Sequence, residues 1–92
     1  MFTTKDLKTI DDTYFNIIKM SEYDIEIQSG NTGHVWLLHS PINEDEGSCI
    51  IFHKHHIKHQ YHRHGTAGNM ATAVRSIKSH DKWQLEGRKK RA

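Results

Sequence analysis

Residues 23–39 read YDIEIQSGNTGHVWLLH, and this stretch decides the fold. Tyr23, Ile25 and Ile27 alternate with Asp24, Glu26 and Gln28, the period of a strand with one buried face. Gly30, Asn31, Thr32 and Gly33 then supply turn chemistry, the glycines tolerating positive φ. The apolar run at residues 34–39 (HVWLLH) follows, so the whole stretch reads as a β-hairpin.

Downstream, residues 41–47 carry proline, asparagine, three acids and glycine, and then Cys49, Ile50, Ile51 and Phe52 form a third strand. Pairing across that break is expected to put Trp36 and Leu38 on one face with Ile50 and Phe52, leaving His39, Cys49 and His53 opposite. Met70, Ala73, Val74 and Ile77 have helical spacing, with Asn69 as the candidate N-cap, which predicts about three turns of helix over the sheet. Trp83 follows that helix and is expected either to cap the core or to stand exposed as an anchor for a partner, the first being preferred. Upstream, residues 3–9 suit a short helix capped by Thr3 or Thr4, while residues 13–20 (TYFNIIKM) fit helix and strand equally well. The expected fold class is α+β: a short N-terminal helix, a three-stranded antiparallel sheet and a C-terminal helix packed on it, stabilised by zinc. One domain spans residues 1–87 in this reading, and residues 88–92 form a basic tail.

The reason to invoke a metal begins with composition. Of 92 residues only 35% are hydrophobic, so the apolar core is small and an additional stabiliser is worth seeking. Cys49 is the only cysteine, which removes an intramolecular disulfide and fits a reducing compartment. There is no apolar run of about 18 residues, and the opening MFTTKDLKTIDD lacks the hydrophobic segment of a secretion signal, so a cytoplasmic protein without a membrane span is expected. A formal charge of +2 is too balanced to announce nucleic-acid binding. Its distribution is polarised, with Asp11 and Asp12 and then Glu44, Asp45 and Glu46 against Arg88, Lys89, Lys90 and Arg91.

Nine residues are histidine, and six of them fall in the window HKHHIKHQYHRH at residues 53–64. Neutral imidazole suits zinc and similar ions, and structural sites take four protein ligands. On a strand His53 and His55 share a face and His56 points the other way. A turn around Ile57 and Lys58 brings His59, His62 and His64 back beside them in a short chelate loop. The predicted zinc ligands are therefore drawn from His53, His55, His59, His62 and His64, with His39 and Cys49 in reserve. Against this stand a solvated polar strand and a low-complexity metal-scavenging tract. Cys49 reads first as a small buried hydrophobe.

With its NTGHVWLL hairpin, its HKHH and YHRHG clusters and its KSHDKW helix end, the chain resembles small proteins carried on phages and mobile elements of Gram-positive bacteria. Among those it is similar to the zinc-binding type II-A anti-CRISPR proteins, which inhibit the Cas9 nuclease. The resemblance implies a non-catalytic monomer in the bacterial cytoplasm that docks on Cas9 with its guide RNA and blocks loading or cleavage of target DNA. Two other classes remain in play. His55 and His56, then Asn69, then His80 loosely resemble a His-Asn-His nuclease, although the Asn69 to His80 interval is long and helical. The basic tail suits a nucleic-acid-binding accessory protein, although the basic helix start used by double-stranded-RNA-binding domains is missing at Asn69 to Ala73.

Overall fold

The computed structural model describes residues 1–42 and 48–87; the acidic residues 44–46 and the basic tail lie outside them. Its elements run α1 (Thr4–Lys8), β1 (Phe15–Met20), β2 (Asp24–Ser29), β3 (Val35–His39), β4 (Cys49–Lys54), β5 (His62–Ala67) and α2 (Met70–Leu85). The strands form one sheet in the order β1-β2-β3-β4-β5, each antiparallel to the next. The expected three-stranded sheet is thus corrected to five strands, within an α+β architecture.

The β2–β3 hairpin forms as its turn residues dictate. Gly33 has φ 79°, a left-handed conformation that a side chain disfavours, and its N–H donates to Ser29 O. Gly30 donates its N–H to Tyr14 O, where a Cβ would come within 3.0 Å of that oxygen. The turn therefore stitches β2 and β3 to the start of β1.

Both unexpected strands are edge strands interrupted by a bulge. In β1, Ile17 faces Ile27 and Lys19 faces Glu26, so Ile18 is an extra residue. In β5, Gly65 faces Ile51 and Arg63 faces Phe52, so His64 is the extra one. A bulge breaks the alternation of buried and exposed positions and re-aims a side chain. That is why residues 13–20 look ambiguous and residues 62–67 look like loop.

The register between β3 and β4 also differs from expectation. Trp36 lies opposite His53 and Leu38 opposite Ile51, so Cys49, Ile51 and His53 occupy the core face, and Ile50 and Phe52 turn to the other. A shift of one residue exchanges the two faces completely. The consequence for the site is large, because it moves His53 from the outer face to a position 2% exposed beneath α2.

The core lies between that face and the two helices. Ile25, Ile27, Trp36, Leu38 and Ile51 pack with Met70, Ala73, Val74 and Ile77 of α2, and Phe2, Ile10 and Phe15 extend the cluster towards α1. α1 is held by a capping box in which Thr3 and Asp6 bond each other's backbone N–H. Asn69 caps α2, its side chain accepting from Thr72 N at 2.8 Å. α2 continues through His80 and Trp83 to Leu85, longer than the three turns its apolar spacing suggests, so Trp83 sits within the helix.

Ile77 is fully buried on α2 whereas Leu85 is 57% exposed. Ile77→Ala is expected to lower unfolding free energy by about 2–4 kcal/mol, and Leu85→Ala by no more than about 0.5 kcal/mol. Urea denaturation of the two variants against the parent checks this ordering.

Candidate metal centre

Three imidazoles converge where the β2–β3 turn, β4 and α2 meet. His34 immediately precedes β3, His53 lies on β4 and His80 on α2. Period two places His34 on the face of Trp36 and Leu38. The spacing Ala73, Ile77, His80 puts the third ring on the buried stripe of α2. One ligand atom from each ring lies within 4.8 Å of the others, and His34 Nδ1 and His53 Nε2 are 3.0 Å apart.

These distances suit a small cation. Two nitrogens on one tetrahedral zinc stand about 3.3 Å apart when each bond is about 2.0–2.1 Å. The His34–His53 pair is already near that separation, and the third nitrogen needs a shift of rotamer size. His80 also carries a buried Nδ1 with no hydrogen-bond partner among the described residues. Buried imidazole nitrogens ordinarily have a partner, so an orphan on a ring of this group is the kind of atom a bound cation would satisfy.

The site is built on a rigid floor and held by a polar clamp. Trp36 stacks on His53 with ring centroids 4.1 Å apart, and its indole N–H donates to Ser29 Oγ. Asp81, fully buried next to His80, accepts from Tyr14 Oη at 2.7 Å and from Thr32 Oγ1 at 3.0 Å. Thr32 Oγ1 in turn accepts from His34 N. One carboxyl therefore ties the helix turn carrying His80 to the loop carrying His34. Burial and the Asp81 bond push the Tyr14 hydroxyl up to about 12, so it stays a donor.

Electrostatics keep the rings in the form that binds metal. Burial, then the neighbouring His80, His34, His55 and His62, push His53 down to about 3. His80 is also lowered from its ordinary value, by burial first and then by His64 and His34, with Asp81 opposing. His64 is lowered by burial and by His62. Neutral imidazole is the ligand state.

Of the histidines expected as ligands, His53 belongs to the converging group. His55 stacks nearly parallel on His34 at 4.4 Å, where the next rung of the β3–β4 ladder beyond Val35 and Lys54 would fall. His62 of β5 pairs with His53 of β4, and His64, at the bulge, meets His80 edge-on at 5.2 Å. All three are exposed and form a rim. His59 lies away from the group, with His56 as its ring neighbour. His39 is paired with Asp24 at 2.7 Å on the outer face. Cys49 is buried with its thiol pushed up to about 11, chiefly by burial. Four residues along a strand place it about 13 Å from His53.

His34 and His80 were the residues not singled out as ligands at the level of sequence. Their signals were positional: His34 shares the period of Trp36 and Leu38, and His80 the period of Ala73 and Ile77. His80 entered only through the nuclease resemblance. Comparison of the chain with protein-family models, with curated proteins and with solved structures finds no match.

Two outcomes follow from the geometry. Substituting His34, His53 or His80 with alanine should abolish stoichiometric binding of zinc, while His59→Ala leaves it intact, as read by metal analysis after dialysis. In metal-free protein, His53 resists protonation when folded but titrates near 6.5 when unfolded. Its contribution is present above that value and is lost as pH falls from about 6.5 towards 3. Urea midpoints in the presence of chelator should therefore drop between about pH 7 and about pH 5, and drop less in His53→Gln.

Proposed function

We propose that this chain is a zinc-binding protein in which an ion held by His34, His53 and His80 fastens α2 to the sheet, and that it acts without catalysis by presenting the resulting surface to a protein partner. The observation that carries the metal reading is the convergence of three ring nitrogens within 4.8 Å at a buried junction of three elements. An all-nitrogen donor set suits zinc or its transition-metal neighbours and disfavours magnesium and calcium, which take oxygen ligands. Zinc is preferred because it accepts tetrahedral nitrogen sites and brings no redox chemistry to a buried tryptophan floor.

The non-catalytic reading is supported by how the nuclease-like residues are used. Asn69 spends its side-chain oxygen capping α2, and His56 sits in the exposed turn after β4, where its Nδ1 accepts from Lys58 N. The partner suggested by the chain's resemblance to anti-CRISPR proteins is Cas9 with its guide RNA. An inhibitor of that kind does not need to mimic DNA, and with a formal charge of +2 this chain is poorly suited to mimicry. In the described residues no helix is long and apolar enough to cross a membrane.

Untagged protein should carry about one zinc per chain, and its removal by chelator should lower the melting temperature by roughly 15 °C or more, since ligand-linked stabilisation of a few kcal/mol shifts a domain this size by that much. Zinc-loaded protein added to Cas9, guide and target DNA should suppress cleavage. Undiminished cutting overturns the inhibitor reading alone, whereas a chain that purifies without metal and melts identically in chelator overturns the metal reading.

A further inference from the structure

The tight group of donors comprises three histidines, and their net charge as ligands is zero. A divalent ion bound there keeps both of its positive charges. The carboxyl next to His80, that of Asp81, spends its two oxygens on Tyr14 and Thr32. Three protein ligands leave a fourth tetrahedral position, which is the pattern of zinc sites that accept an outside ligand. The remaining candidates from the chain are poorly placed for it. His55 is stacked flat on His34, with 9° between the rings, and a ring parallel to a ligand ring cannot direct a nitrogen at the same ion. His62 and His64 meet His53 and His80 edge-on, at 5.2 Å in both cases, on the exposed side. Each neutral imidazole offers an N–H donor.

We propose that the centre is an oxyanion receptor: the open position of the bound ion takes one oxygen of a phosphate or carboxylate, and rim N–H groups of His62 and His64 hold the others. The proposal rests on the metal reading above. It also gives the rim histidines a role that needs exposure, which a closed structural site would not. An anion brings the charge the ligand set lacks, and a charge-assisted hydrogen bond to it is stronger than a neutral one.

Cobalt(II) reports both levels separately, because its visible absorption depends on its ligands. Protein loaded with cobalt is titrated with inorganic phosphate and, in a second series, with acetate. A saturable spectral change is expected with both, phosphate being the tighter because the rim holds its further oxygens; equal affinities for the two anions overturn the role of the rim. His62→Ala and His64→Ala should weaken phosphate binding by about tenfold, the scale of an outer-shell contact, while leaving cobalt affinity within about twofold. A cobalt spectrum indifferent to both anions overturns the proposal, as does a collapse of cobalt affinity in His64→Ala or His62→Ala, which would make that ring the fourth ligand. Failure to bind cobalt at all would instead count against the metal reading.

Discussion

The structure depends on bringing three imidazoles within 4.8 Å of one another from three parts of the chain. His34 comes from the end of a turn, His53 from the last but one position of β4 and His80 from the fourth turn of α2. Burying such rings without partners is unfavourable, because each carries polar nitrogens that water would otherwise satisfy. A shared hydrogen bond meets part of the cost for His34 and His53, but His80 Nδ1 has no partner among the described residues. A cation would satisfy all three at once, and its binding free energy would then become folding free energy. The surroundings are consistent with that demand: Trp36 stacks against His53, and the Asp81 clamp holds the elements bearing His34 and His80 in place.

The same constraint explains the fold's asymmetry. The core near β1 and β2 is apolar, with Phe2, Ile10 and Phe15 added from the N-terminal segment. The end under the latter half of α2 is built largely of aromatic and imidazole rings: Trp36, His53, His64 and His80 lie against one another, and Trp83 lies beside His80. That end is built from rings rather than aliphatic side chains, so a metal held there would contribute most where hydrophobic packing contributes least.

Much of this was legible in the residues, and the failures have physical causes. The hairpin at residues 23–39 was readable because one buried face and a glycine-bearing turn leave a period-two signal, and the start of α2 because Asn69 precedes an apolar stripe. β1 and β5 were hidden because Ile18 and His64 are bulge residues that break alternation, and because edge strands bury little. The β4 register was invisible in Cys49, Ile50, Ile51 and Phe52, a continuous apolar run that offers no preferred face. That single slip displaced His53 from the core face. Histidine density pointed to the neighbourhood of the converging rings, since His53 belongs to the group and His55, His62 and His64 surround it. Density could not point to His34 and His80, which are isolated in sequence and join the group only through the fold.

Zinc-edge X-ray absorption on the metal-loaded protein tests the central claim most directly. Three nitrogen scatterers at about 2.0–2.1 Å, with the outer-shell pattern of imidazole and one further light atom, are the predicted result. A sulfur scatterer at about 2.3 Å, or a shell of oxygens without imidazole features, would contradict the account.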